Sequence, residues 1–119
     1  MAYATFNKPS LHFDVNTYDA TGSAKTITGM NFKPDLIFTK NRSNTSYIHA
    51  IVDAVRGGTK WLEANDNDAE QTYAGGLTSF DSDGFSVGNG SDVNLNSSSQ
   101  VAWNWKAGGA GSTNTDGSQ

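Results

Sequence analysis

The sequence contains no cysteine, which excludes a disulfide scaffold, a thiol nucleophile and the cysteine-based zinc sites. It has only five leucines and two glutamates among 119 residues, and helices depend heavily on both, so a helical bundle is excluded as well. Eight Lys and Arg residues against twelve Asp and Glu residues give a formal net charge of −4. Binding to a phosphate backbone needs clustered cations, so we expect no nucleic-acid partner.

Long apolar stretches are also missing. No run approaches the roughly 18 residues of a membrane-spanning helix, and the amino-terminal stretch lacks the charged-then-apolar pattern of a secretion signal. We therefore expect no contact with a membrane.

Small uncharged polar residues dominate instead. Gly, Ser, Thr and Asn number 13, 13, 12 and 12, and Ser, Thr and Asn compete for backbone hydrogen bonds in a way that favours turns and strand faces over helix interiors. The length fits one domain. Composition divides the chain into a short arm at residues 1–11, a folded domain at 12–106 and a flexible Gly/Ser/Thr-rich linker or tail at 107–119.

The folded region consists of short strand-like runs separated by turn residues. Alternation is clear from His12 to Tyr18 and from Gln100 to Ala107, and Asp81-Ser82-Asp83-Gly84 predicts a hairpin turn in which Gly84 takes a positive φ. Asp68–Tyr73 is a candidate for one helical turn. Such spacing predicts an all-β fold, an antiparallel two-sheet β-sandwich of jelly-roll type with long polar loops, and a small closed barrel is the second choice. Trp103 and Trp105 share one strand face and are expected in the core.

No residue pattern indicates catalysis or a metal. His12 and His49 lie in predicted strands without a nucleophile elbow, and Arg56-Gly57-Gly58-Thr59-Lys60 lacks the spacing of a phosphate loop and reads better as a tight turn. The acidic stretches that begin at Asp66 and Asp81 fail the EF-hand pattern, although another calcium geometry stays open. Glu63 and Glu70 are not marked out as a glycosidase pair. We predict no catalytic residue, no metal and no cofactor.

Aromatic residues beside polar loops offer a different function. Tyr47, Trp61 and Tyr73 are candidates for an exposed platform that stacks on sugar rings, with Asn and Asp supplying hydrogen bonds.

Five stretches, taken in order, resemble a repeat domain found in virion surface proteins of tailed bacteriophages, often marine ones: KPSLHFDVNTY, ITGMNFKPDLIFTKNRS, VDAVRGGTKWLEAN, LTSFDSDGFSVG and VAWNWKAGG. The resemblance covers about residues 8–117, and its motifs are strand and turn signatures that name no active site. It implies a virion-surface location, in a tail fibre or a head-surface (capsid decoration) fibre. By analogy with fibres it also implies a homo-oligomer, most simply a trimer.

From the initial Met and the linker-like end we expect the amino-terminal anchoring module of a longer protein. Its partner would be a capsid or tail protein of the same virion, bound through the arm residues Tyr3, Phe6 and Pro9 together with one sheet edge. The alternative is a glycan-binding adhesin module that attaches the particle to host surface polysaccharide. A third reading, an enzyme acting on envelope glycans, has the least support.

Overall fold

The structure is a computed structural model that describes residues 8–108. The candidate docking residues Tyr3 and Phe6 and all but the first two residues of the proposed linker lie outside this range. Within it, a short 3₁₀ turn, Pro9–Leu11, precedes nine strands and one helical turn, α1, Ser91–Asn94. The strands are β1, Phe13–Asp19; β2, Lys25–Ile27; β3, Leu36–Asn41; β4, Ala50–Asp53; β5, Lys60–Glu63; β6, Gln71–Thr72; β7, Leu77–Asp81; β8, Gly84–Val87; and β9, Ser99–Trp105.

Two antiparallel sheets form the fold. The larger has six strands in the order β1-β9-β3-β4-β5-β6, and the smaller has three in the order β2-β8-β7. The predicted all-β class, with two antiparallel sheets consistent with a β-sandwich, is confirmed, while the jelly-roll connectivity stays a prediction. The helical turn expected at Asp68–Tyr73 is wrong, because Gln71 and Thr72 pair with β5 as a short edge strand.

One hydrophobic core joins the two sheets. The larger sheet contributes Trp61, Ile37 and Val52, and the smaller contributes Phe85 and Leu77. Tyr18 of β1 meets Phe85 of β8 edge to face, with ring centroids 6.1 Å apart. We call the side of the larger sheet that faces this core the inner face and the opposite side the outer face.

Glycines close the turns and bring the backbones together. Gly57 has a φ of +97° after β4, in agreement with the tight turn predicted for the Arg56–Lys60 segment. Gly84 ends the predicted hairpin turn, but it is absent from the positive-φ residues of the described chain. It is needed for space, because a Cβ atom there would lie far inside contact distance of the Ile27 carbonyl oxygen on β2.

The predicted burial of Trp103 and Trp105 is wrong. Trp105 is 37% exposed and Trp103 is half-buried, since both side chains lie on the outer face. The alternation along β9 is as predicted, but its inner face carries Gln100, Ala102 and Asn104, all fully buried. Ala102 belongs to the core cluster that contains Tyr18 and Phe85. The rings of Tyr18 and Phe85 fill the space between the two sheets, which leaves room at position 102 for a methyl group and not for an indole.

Candidate docking surfaces

A row of apolar side chains crosses the outer face from strand to strand. The strand registers place Val15 beside Trp103, Trp103 beside Phe38, Phe38 beside Ile51 and Ile51 beside Leu62. Val15 and Leu62, at the two ends of the row, are 44% and 40% exposed. Adjacent side chains on one sheet face contact each other, so five neighbouring strands together present a continuous apolar band.

A second row extends this band towards one end of the strands. Phe13 lies beside Trp105, and Trp105 lies beside Leu36. The rings of Phe13 and Trp105 are 5.3 Å apart and inclined by 48°, and those of Phe38 and Trp103 are 5.3 Å apart and inclined by 33°. Inclined rings give a contoured surface and not the flat platform on which a sugar chain would lie. We call the two rows together the aromatic face: Phe13, Val15, Leu36, Phe38, Ile51, Leu62, Trp103 and Trp105.

The opposite end of the outer face is smaller and basic. Thr17 lies beside Val101, and Val101 lies beside Lys40. His49 precedes β4, with its ring 6.3 Å from that of Phe38. Partial burial and the neighbouring Lys40 cation lower the pKa of His49, which keeps this imidazole neutral at pH 7.

Beyond Leu36 the outer face carries an ion-pair group. Asp53 pairs with Leu36 across β3 and β4, and its carboxylate accepts hydrogen bonds from the Arg56 side chain and from the backbone amides of Val55 and Arg56. The Arg56 guanidinium also donates to Glu70 at 3.1 Å. Burial raises the pKa of Asp53, but the hydrogen bonds and charge of Arg56 outweigh it, and the net shift is downward.

The outer edge of β1 is a second surface. Lys106 N–H donates to His12 O and Ala20 N–H donates to Ser98 O, each at 2.8 Å, and both pairs continue the β1–β9 register. Hydrogen-bonded pairs alternate in an antiparallel ladder. The even-numbered residues of β1 therefore bond to β9, while Phe13, Val15, Thr17 and Asp19 direct their backbone groups away from the sheet.

Part of this edge is already occupied by the protein's own side chains. Val15 N–H donates to Asp14 Oδ1 at 2.8 Å, and Asp19 O accepts from Lys25 Nζ at 2.6 Å. The backbone groups of Phe13 and Thr17 have no partner among residues 8–108. β1 pairs with β9 over seven residues without a bulge, whereas the other sheet edges are two residues long (β6), three residues long (β2) or irregular between Leu77 and Ser79 (β7). β1 is thus the long regular edge in the described part of the chain.

The sequence-predicted site residues do not form one site. Pro9 is exposed in the 3₁₀ turn immediately before β1. Trp61 is fully buried, and its indole Nε1–H donates to Gly58 O at 3.0 Å, so it has no free face for a sugar. Tyr73 is 40% exposed and stacks on Trp61 with ring centroids 4.6 Å apart, and Tyr47 is half-buried. The predicted three-ring platform is therefore reduced to Tyr73 and Tyr47.

Acidic and imidazole groups stay dispersed. Glu63 has a pKa raised by burial and then by the nearby carboxylates of Asp68, Asp66 and Asp92. Even so, residues 8–108 contain no group of three His, Asp or Glu side chains placed to hold a metal ion. No pocket opens on this part of the molecule, and none of its helices is long and apolar enough to cross a membrane.

The aromatic face was missed because its members come from five separate strands. Alternation showed that Trp103 and Trp105 share a side with Val101, but a single sequence does not reveal which strands become neighbours. One feature of the sequence could have indicated it. Gln100, Ala102 and Asn104 form one face of β9, and a small residue between two polar ones on a buried face places the indoles of Trp103 and Trp105 on the exposed side.

A model of a protein family described as a domain of unknown function, DUF7483, matches residues 8–119, which is nearly the whole chain. No curated protein and no solved structure matches the sequence.

Proposed function

The chain belongs to the DUF7483 family of domains of unknown function, and we propose that it is a non-enzymatic structural module of a tailed-phage virion. In this proposal it is the amino-terminal anchoring domain of a tail fibre or of a head-surface (capsid decoration) fibre, located on the virion surface. It acts by docking on a capsid or tail protein of the same particle. The virion assignment rests on the five motif stretches, and the docking mode rests on the geometry of β1.

The observation that carries the docking mode is the open edge of β1. An edge strand with unpaired N–H and C=O groups is a template for another strand, and proteins usually blunt such edges with prolines, bulges or short length. β1 has seven residues, no proline and no bulge. The backbone groups of Phe13 and Thr17 can therefore accept an extended segment of the partner, with main-chain hydrogen bonds giving affinity.

The position of β1 connects this edge to the predicted arm. Pro9 is exposed four residues before Phe13, so a partner that reaches the beginning of β1 also reaches Pro9. Tyr3 and Phe6 belong to the same proposal as additional anchors, and they precede Pro9 in the sequence.

The test is a proline at the outward position Thr17. Thr17→Pro removes an N–H that points away from β9, so the ladder with β9 keeps its bonds, and prolines are tolerated on edge strands in this orientation. Thr17→Val is the matched control because it keeps the N–H. We expect particles assembled with Thr17→Pro to carry much less of the protein than wild-type particles, measured by quantitative immunoblotting of purified virions, and Thr17→Val to match wild type.

A second variant tests the arm. Deletion of residues 2–9 should also reduce decoration of the particle. Normal decoration by the deletion variant would refute the role of Tyr3, Phe6 and Pro9, and normal decoration by a folded Thr17→Pro protein would refute docking through β1.

One specific observation supports the alternative function, a glycan-binding adhesin module. Tyr73 holds an exposed ring against the buried Trp61, and such a fixed ring can stack on a sugar. A glycan array with the wild-type chain and with Tyr73→Ala tests it: binding that Tyr73→Ala abolishes supports the adhesin, and an array without signal removes it.

A further inference from the structure

We propose that the strand accepted by β1 carries a Lys or Arg directly opposite Asp14, with an apolar residue on each side of it, and that Asp14 selects against strands without this cation. The inference rests on the docking function proposed above and names the chemistry of the partner. The partner is an extended segment in which apolar and polar residues alternate and one polar residue is basic.

The side chain of Asp14 lies across the open edge of β1. Its Oδ1 accepts the Val15 N–H at 2.8 Å, although that N–H points away from β9 and towards the position of an added strand. The backbone groups on either side of this contact, at Phe13 and Thr17, are free. The edge is therefore closed at its middle by a charged side chain, which is a known way of protecting a strand edge.

The described part of the chain provides no cation to neutralise Asp14. Both ion pairs within it belong to Arg56. Lys106 lies diagonally across from Asp14 in the β1–β9 register, at an exposed position, and forms no ion pair with it. Lys25 Nζ is bonded to Asp19 O at the other end of β1. Asp14 is half-buried, so a partner that supplies a cation is favoured over one that supplies a carboxylate.

The hydrogen-bond pattern determines which partner residue meets Asp14. An added antiparallel strand makes its main-chain bonds at odd-numbered residues of β1, so the residue opposite Asp14 falls in a non-hydrogen-bonded pair. The Cα atoms of such a pair are about 4.5 Å apart and the side chains are close. Opposite charges at this distance stabilise the pair and like charges destabilise it. A cation opposite Asp14 therefore draws the carboxylate away from Val15 N–H and frees that amide for the strand.

The apolar residues of β1 define the flanking positions of the partner. Phe13 and Val15 are 38% and 44% exposed, and both lie on the outer face at the border of the sheet. Partner residues opposite them lie on the same face and cover them, since directly opposed side chains on one face contact each other. The pattern of apolar, basic and apolar residues opposite Val15, Asp14 and Phe13 distinguishes this partner from other extended segments.

The experiment is an NMR titration of the 119-residue chain at pH 7 with three capped peptides, SVTVKVS, SVTVEVS and SVTVQVS. In the antiparallel register the variable residue lies opposite Asp14, and the valines beside it lie opposite Val15 and Phe13. We expect the Lys peptide to shift the backbone amides of Phe13, Val15 and Thr17. It should bind at least about threefold more tightly than the Glu peptide, with the Gln peptide between them.

Two variants of the protein locate the origin of this preference. Asp14→Asn keeps a side-chain oxygen that can accept from Val15 N–H and removes the charge, so the difference between the Lys and Glu peptides should fall below about twofold, since the pairwise interaction is lost. Asp19→Asn is the matched control, because it makes the same change of charge on the same strand beyond the paired stretch. A general attraction of cations to the acidic chain would weaken equally in both variants, whereas the proposed pairing leaves the preference intact in Asp19→Asn.

Three results would overturn the proposed partner chemistry: equal affinities of the wild type for the Lys and Glu peptides, a Lys preference that survives in Asp14→Asn, or no binding of the Lys peptide up to about millimolar concentration. The amide spectrum of each variant confirms that it is folded. The docking function itself is judged by the decoration of particles with Thr17→Pro. Lost decoration in that variant together with equal peptide affinities would retain docking through β1 and reject a basic partner.

Discussion

Strand β9 of the larger sheet inverts the usual distribution of side chains between its two faces, whereas other strands of that sheet place Trp61, Ile37 and Val52 in the core. On β9 the inner face carries Gln100, Ala102 and Asn104, all fully buried, and the outer face carries Trp103 and Trp105, the latter 37% exposed. Hydropathy alone would assign the faces the other way round. The comparison teaches that the volume left between two sheets, and not the hydrophobicity of a strand face, decides which side turns inwards.

Several of the inner polar atoms have partners, whereas Thr39 Oγ1, Gln100 Oε1 and Asn104 Oδ1 have none among the described residues. Asn104 Nδ2 lies within hydrogen-bond distance of Asp14 O, Asn16 Oδ1 and Ala102 O, at 3.0–3.2 Å. Asn94 Nδ2 likewise donates to the Ser23 and Gly88 carbonyls. Amides that join several chain segments in this way fix the arrangement of the strands, since a buried polar group without a partner is costly.

Truncating one tryptophan on each face gives the largest expected contrast. Trp61→Ala on the inner face should lower the free energy of unfolding by about 3–5 kcal/mol, because it removes a fully buried indole and leaves a cavity. Trp105→Ala should lower it by about 1 kcal/mol or less, since that side chain already contacts water. Urea denaturation measures both losses. Equal losses would show that the two faces do not differ in their contribution to stability.

The strands and the functional surfaces differ in how far the sequence predicts them. Alternating residues and turn signals predict β1, β9 and the turn between β7 and β8 closely, because both signals depend on neighbouring residues. The pairing of β1 with β9 joins opposite ends of the domain and has no local signal. The aromatic face and the open edge of β1 follow from that pairing, so neither was predictable from one sequence.

A charge at Asn104 should have the next largest effect. Asn104→Asp preserves the shape but replaces the donating amide with a carboxylate that faces the Asp14 and Ala102 carbonyls and Asn16 Oδ1. We expect a loss of about 2–3 kcal/mol at pH 7, measured by urea denaturation, and partial recovery of stability at pH 5 as the buried carboxyl group takes up a proton. Asn16→Asp, at a half-buried position, is the control with a smaller loss. A stable Asn104→Asp protein at pH 7 would mean that the amide contacts do not hold the inner face together.

The smallest effect concerns the ion-pair group at the border of the outer face. Burial raises the pKa of Asp53, but Arg56 lowers it by more, so the net shift in the folded protein is downward. The ion pair therefore stabilises the folded protein at pH values above the ordinary carboxyl pKa. This stabilisation is lost as the pH falls through the pKa of Asp53 in the folded protein. Arg56→Met removes the guanidinium hydrogen bond and its charge, while burial and the backbone amides of residues 55 and 56 stay, so the pKa of Asp53 should rise. We expect the variant to be less stable by about 0.5–1 kcal/mol at pH 7, as for other partly exposed ion pairs. The difference in stability should shrink below about pH 4, where the carboxyl groups of both proteins become protonated.

Carboxyl NMR titration of Asp53 measures its pKa directly. The control is Lys106→Met, which removes one cation at an exposed position. An unchanged Asp53 pKa in Arg56→Met would show that the backbone amides of Val55 and Arg56, and not the guanidinium, hold that carboxylate ionised.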